Sequence, residues 1–251
     1  VTYKKYRLKN NVLAKRSTSI IVDKLASVVG KTRRPPPLSR IHEFLSGSDL
    51  NDFRVACFDS LNLEPWVEWF LADCSEIIYS SLGPDFCIQS KVNLSIVPPG
   101  DLSSQLPIHS DSWSGDSPFQ LNFWFPLTHA LGDSGIYIVD AERSLKAMQG
   151  LQQNGRLPVI QSRFRLAVSA RIGNVIVFNP ALLHGSGVNT GNLTRVSLNL
   201  RVKNFFAPDF SAQYPDRSSS AYFNHTVLSE SAKFGICFWK SCRLTSKELK
   251  P

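Results

Sequence analysis

The sequence predicts a mainly β protein, an antiparallel sandwich or barrel, preceded by a helical first third. Six short segments after residue 85 alternate apolar and polar residues with the period of a strand, and Gly, Pro and Asn punctuate them. Before residue 85 the apolar residues recur three and four apart, the period of a helix buried along one face. No apolar run reaches the roughly 18 residues that a membrane-spanning helix needs.

Taken in order, "STSIIVDKLASVVG" (17–30) opens on Ser/Thr capping residues and ends at Gly30, so it reads as a helix. "KTRRPPPLSR" (31–40) is a linker, because its three prolines cannot continue a helix. Residues 48–83 are helical, with a break before Pro65 and a stop at Gly83. Strands are expected over 86–97, 119–127, 134–139, 164–170, 173–180 and 195–202, with one helix over 141–152 between them. "PDRSSSAYFNH" (215–225) reads as a loop. The whole chain is expected to form one domain: a basic helical layer (1–85), a β core (86–205) and a C-terminal extension (206–251).

Residues 1–40 hold 11 of the 28 Lys and Arg but one of the 20 acids, Asp23, which leaves the remainder of the chain at net −2. The basic character therefore belongs to the N-terminal segment, which reads as a solvated face. Five cysteines without a CxxC pair argue against a disulfide framework and for reduced thiols. "VTYKKYRLKNN" has no apolar core of signal-peptide type. Together these lead us to expect a cytoplasmic protein, with no membrane partner.

"PIHSDSWSGD" (107–116) sets His109 and Asp111 one residue apart, and residues i and i+2 of a strand point to the same face. A second histidine, His184, follows the buried strand of "GNVIVFNPALLHGSGVNTGNLTR", 75 residues after His109. Two imidazoles and one carboxylate match the facial triad of non-heme Fe(II) sites, provided the fold brings two distant strands together. Arg195 lies 11 residues after His184 at the start of a strand, and Arg195, Ser197, Asn199 and Arg201 share one face of it. Such an arginine suits bidentate recognition of a carboxylate, with Ser197 assisting and Arg201 as the competitor.

These motifs, spanning residues 107–203, resemble the 2-oxoglutarate/Fe(II)-dependent dioxygenases. The likeness is strongest to the phytanoyl-CoA hydroxylase-like branch, through His-Gly-Ser-Gly-x-Asn and the histidine-to-arginine interval. "HSDSWSGDSPFQLNFWFPLTHA" also resembles oxygenases of bacterial sugar-biosynthesis clusters, of the streptomycin type. The resemblance implies a double-stranded β-helix, the cupin-like jelly roll. It further implies Fe(II) held by His109, Asp111 and His184, and 2-oxoglutarate anchored by Arg195. Oxidative decarboxylation with O2 would then drive oxidation of a substrate C–H bond. Halogenating relatives replace the carboxylate ligand with a small residue, so Asp111 favours hydroxylation or a related oxidation.

Other residues are placed around this set. Asn122 is expected as a polar contact of 2-oxoglutarate or substrate if it faces the interior. Trp113, Ser110 and Asp116 are expected to line a substrate pocket, and the hydroxyl-rich loop suits a small polar substrate such as a sugar derivative. His42, His129 and His225 read as structural, and Cys57 and Cys74 as buried apolar residues. Two alternatives stand beside this reading. One is a nucleic-acid or protein oxygenase of the AlkB type, suggested by the Arg195–Arg201 spacing and the basic N-terminus. The other is a non-catalytic metal-binding jelly-roll module. Net −2 over residues 41–251 disfavours a nucleic-acid partner.

Overall fold

Central to the fold is one long strand that serves two chemistries on its two faces. In the computed structural model, which describes residues 2–30, 35–208 and 222–241, this is β10 (Arg195–Asn204). It alternates Val196, Leu198, Leu200 and Val202 with Arg195, Ser197, Asn199 and Arg201. The apolar set enters a core shared with three helices, α1 (Val12–Val29), α2 (Gly47–Asn62) and α3 (Trp66–Leu82). The polar set turns to the other side, where a second sheet covers it.

Antiparallel strands make up both sheets. The larger has the order β1-β8-β5-β10-β2-β11, with β3 also paired to β10. Its members are β1 (Tyr3–Arg7), β2 (Phe86–Ile88), β3 (Asn93–Val97), β5 (Gln120–Pro126), β8 (Asn174–Phe178), β10 and β11 (His225–Val227). The smaller has the order β4-β9-β6-β7, from β4 (Leu106–His109), β6 (Ile136–Ile138), β7 (Leu166–Val168) and β9 (His184–Ser186). From β3 to β10 the chain passes back and forth between the two sheets, so distant segments become neighbours. Ile136, Ile138, Val168, Trp124 and Ile176 fill the space between the sheets, and Phe178 of the same cluster borders the polar residues.

Helices α4 (Ala141–Asn154) and α5 (Glu230–Ser241) complete the α-helices among the described residues. Asp140 caps α4 by accepting from the Arg143 N–H at 2.9 Å. The helix expected over 17–30 begins earlier, at Val12, because the Asp73 carboxylate on α3 accepts from the Val12 and Leu13 N–H groups, both at 2.9 Å. The strand expected over 86–97 is two strands. Asn62 on α2 bonds both the N–H and the carbonyl of Val92, which takes that residue out of the ladder. The pattern did not single out β1, β4, β9, β11 or α5. Residues 31–34 of the expected linker, 215–221 of the expected loop, and Cys242 lie outside the described residues. No helix among the described residues is long and apolar enough to cross a membrane.

Two basic residues of the N-terminal segment bond backbone carbonyls beside β8. Lys5 Nζ donates to the Ser169 carbonyl at 3.2 Å and Arg7 Nη1 to that of Ile172 at 3.0 Å. They hold β1 at the sheet edge, where charged side chains also discourage further strand pairing. Cys57 and Cys74 are fully buried, and burial pushes the Cys57 thiol up to about 12.

Helix-to-sheet docking depends on Phe70, fully buried and edge-on to Phe123 at 5.2 Å and Phe125 at 6.0 Å between ring centroids. Phe70→Ala is expected to destabilise the protein by about 3–5 kcal/mol. Val55→Ala, at an exposed position of α2, should change stability by less than about 0.5 kcal/mol. Urea denaturation of both variants checks this.

Candidate metal centre

Strands β4 and β9 pair so that His109 and His184 stand directly opposite each other. Cross-strand partners have closely spaced side chains, and the two imidazole centroids lie 4.3 Å apart. Asp111 does not share a strand face with His109, as the i, i+2 pattern suggested. β4 ends at His109, and Asp111 opens a 3₁₀ turn over Asp111–Ser114. That turn is tied to the segment leading into β9. The Asp111 N–H and the Ser110 hydroxyl both donate to the Pro180 carbonyl at 3.1 Å. The same segment carries His184, so one set of bonds fixes all three side chains.

His109 Nε2 lies 3.5 Å from Asp111 Oδ1, and His184 Nε2 lies 3.7 Å from Asp111 Oδ2. One ligand atom from each of the three residues falls within 4.8 Å of the others, and this is the one such His/Cys/Asp/Glu group among the described residues. Ligands about 2.1 Å from a common ion and at right angles to one another are about 3 Å apart, so small side-chain adjustments suffice.

The tautomers are set by the backbone. Each imidazole makes a 2.8 Å bond from Nδ1 to the carbonyl two residues before it, Pro107 for His109 and Leu182 for His184. A carbonyl only accepts, so Nδ1 carries the hydrogen and a neutral ring points its Nε2 lone pair at Asp111. Two lone pairs and a carboxylate thus converge, a donor set that calls for a cation. Burial favours the neutral form of His184 and lowers its pKa. Burial pulls His109 the same way, but the bonds its protonated ring makes to Asp111 and Pro107 outweigh that and raise it. Burial alone would push the Asp111 carboxyl up. The His109 bond and the Arg201 and His184 charges instead hold it far below the usual carboxylate range.

One row across the larger sheet forms the floor of this site. Phe178, Asn122 and Arg201 are register partners on β8, β5 and β10. The Phe178 ring meets that of His184 edge-on at 5.0 Å. Asn122 Nδ2 donates to Asp111 Oδ2 at 2.6 Å, and Arg201 Nη2 pairs with Asp111 Oδ1 at 3.0 Å. Arg201 Nε also lies 2.9 Å from Asp116 Oδ2, while Nη1 donates to the Tyr222 hydroxyl. Sequence reasoning did not anticipate Tyr222, because β11 and the residues before it carry no motif.

The two arginines of β10 differ in charge environment. Arg201 is paired with two carboxylates. Arg195 is equally buried, yet its Nη1 meets only the Ser134 and Gly135 carbonyls, at 3.2 and 2.9 Å, and no carboxylate among the described residues pairs with it. Burial without a counter-charge pushes its pKa down to about 10. Arg195 Nε, Ser197 Oγ and Asn122 Oδ1 are buried without a hydrogen-bond partner, all on the face that looks toward the second sheet.

The remaining residues expected near the substrate are placed as follows. Ser110 is buried with its hydroxyl on Pro180, and Asp116 is buried against Arg201. Trp113 packs on α4 with its indole N–H directed at Met148 Sδ. His42 bonds Thr194 Oγ1 at 2.7 Å, His129 accepts from the Ile172 N–H at 3.3 Å, and His225 lies edge-on to Trp66.

Gly185 has a steric reason to follow His184. A Cβ there would stand 2.6 Å from Tyr137 Oη and 2.7 Å from the Leu106 carbonyl. Gly185→Ala is therefore expected to push β9 away from β4, costing about 1–3 kcal/mol as an overpacked site. His184 would move with the strand, and Co(II) affinity should fall about tenfold or more. Denaturation and an absorption titration with Co(II) check the two effects separately.

No family model matches the chain, and no curated protein matches it. Among solved structures it is similar to a non-heme monooxygenase, the ThoJ–Ni complex, at 16% identity over 83% of this chain and 77% of that one, with TM-score 0.49. AviO1 from Streptomyces viridochromogenes Tue57 matches at 15% identity over 82% and 91%, with TM-score 0.46. SnoK, a non-heme alpha ketoglutarate dependent carbocyclase from nogalamycin biosynthesis, matches at 16% identity over 64% and 77%, with TM-score 0.45.

Proposed function

We propose that the protein is a non-heme Fe(II)- and 2-oxoglutarate-dependent oxygenase built on a double-stranded β-helix. The observation that carries this reading is the convergence of His109 Nε2, His184 Nε2 and the Asp111 carboxylate around one point. Two imidazoles and one carboxylate leave several positions on a first-row metal for other ligands. Fe(II), when bound there, supplies activation of O2 coupled to decarboxylation of 2-oxoglutarate to succinate and CO2.

The chain's own residues then have distinct tasks. His109 and His184 present lone pairs through their fixed tautomers. Asn122 and Arg201 hold the Asp111 carboxylate from both oxygens. Arg195 anchors the distal carboxylate of 2-oxoglutarate, because it is the buried guanidinium of β10 without a counter-charge, and Ser197 assists with its unpartnered hydroxyl. Arg201 is already occupied by Asp111 and Asp116, which disfavours it for that task.

Substrate enters this reading as a small polar molecule, with a hydroxylated, sugar-like compound as the leading class. Ser110 and Asp116 are engaged inside the protein, so the contacts fall elsewhere. A cavity of about 720 Å³ borders the site through Phe178 and Leu182. Thr2, Tyr3, Tyr6, Ser80 and Ser81 line it with hydroxyls, and the two tyrosines with aromatic faces. Trp113 supports the wall from behind through Met148.

Arg195→Ala is expected to raise the 2-oxoglutarate concentration needed for half-maximal succinate formation from several-fold to about a thousandfold, the loss of one partner of a buried charge pair. Arg195→Lys should fall between, since a lysine keeps the charge without the two-toothed geometry. Succinate production against 2-oxoglutarate concentration measures this. An unchanged requirement in Arg195→Ala would remove Arg195 from the anchor position.

A further inference from the structure

Asp111 and Asp116 are two buried carboxylates five residues apart, brought together by the 3₁₀ turn and by Gly115, whose φ of +89° closes the turn back toward Asp111. Two like charges at such a place repel, and either carboxylate is a competent metal ligand. Both lie against one guanidinium: Nη2 of Arg201 pairs with Asp111 Oδ1 at 3.0 Å, and Nε lies 2.9 Å from Asp116 Oδ2, close enough for an ion pair but not aligned as a hydrogen bond. The guanidinium is planar, and its charge stands between the two carboxylates. Its third nitrogen is fixed by Tyr222, which is itself tied to β2 and its flank, the Ser90 N–H donating to the Tyr222 carbonyl at 2.7 Å.

We infer that Arg201 is a carboxylate spacer. It is a positioning residue that presents Asp111 to the metal and keeps Asp116 away from it. The ligand set thereby stays at two imidazoles and one carboxylate, and the remaining positions stay open for the cosubstrate. This inference rests on the metal site proposed above and adds a role for Arg201, Asp116 and Tyr222 that the triad alone does not require. Asn122 braces the opposite oxygen of Asp111 at 2.6 Å, so loss of Arg201 leaves Asp111 partly held while Asp116 loses the charge that draws it toward Arg201.

The test uses the full chain loaded with Co(II), whose visible absorption reports ligand number and type, and 2-oxoglutarate as the added ligand. Wild type should show bands that His184→Ala abolishes and that 2-oxoglutarate shifts. Arg201→Gln should show altered bands before any 2-oxoglutarate is added, and should need roughly tenfold or more 2-oxoglutarate to shift them. Adding Asp116→Asn to Arg201→Gln should restore both band positions and 2-oxoglutarate response toward wild type, a coupling that independent structural damage does not produce. Should Arg201→Gln fail to fold by circular dichroism, Arg201→Lys serves in its place, because an ammonium lacks the two-toothed edge.

Wild-type bands in Arg201→Gln, or a double variant no better than the single one, would overturn the spacer. A raised 2-oxoglutarate requirement with unaltered starting bands would overturn it too, in favour of direct contact between Arg201 and the cosubstrate. Wild-type bands indifferent to His184→Ala would instead overturn the metal site, and the spacer with it.

Discussion

The site depends on one pairing, that of β4 with β9, which sets His109 opposite His184. The side-chain period of a strand is two, so a slip of one residue would turn either imidazole to the other face and dissolve the site. Two features pin the register. Gly185 lets β9 lie close to Tyr137 and the Leu106 carbonyl, where any Cβ would clash. The Pro180 carbonyl accepts from both Ser110 and Asp111, tying the turn after β4 to the lead-in of β9. The carbonyls of Pro107 and Leu182 then fix each ring's tautomer, so the same backbone that places the rings also decides which nitrogen faces inward.

Charge is distributed along β10 in a way that gives its two arginines different work. Toward the triad end, Arg201 is balanced by Asp111 and Asp116. Six residues away, Arg195 is buried with carbonyl partners alone among the described residues. A buried cation lacking a counter-ion is costly, and an incoming dicarboxylate would offset that cost at one end while meeting a metal at the other. The Ser197 hydroxyl, between the two arginines on the same face, has no hydrogen-bond partner among the described residues. The opposite face of the strand is apolar and holds the helices. Fold stability and site chemistry are thus carried by alternate residues of one strand.

Much of this was legible in the sequence, for physical reasons that differ by element. The longer strands β5, β8 and β10 were visible because each buries one or both faces, which writes an alternating or continuous apolar pattern. Strands β4 and β9 were not, since they are three or four residues long and carry Pro107, His109, His184 and Gly185 in place of that pattern. The start of α1 at Val12 was hidden because its cap, Asp73, comes from another helix. The triad was readable as residue types in order. Ser110 and Asp116 were read as pocket residues because their chemistry suits a sugar, whereas the turn directs them to Pro180 and Arg201. The contrast between Arg195 and Arg201 could not be read either. Both lie on one face of one strand, and only the fold determines which carboxylates reach which guanidinium.

The most direct measurement is anomalous X-ray diffraction from crystals of the protein soaked with Mn(II) and 2-oxoglutarate under anaerobic conditions. The account predicts a strong anomalous peak between His109 Nε2, His184 Nε2 and Asp111, about 2.0–2.2 Å from each. Density for 2-oxoglutarate should run from that ion to the Arg195 guanidinium. An anomalous peak elsewhere, or an ordered 2-oxoglutarate with its distal carboxylate away from Arg195, would contradict it.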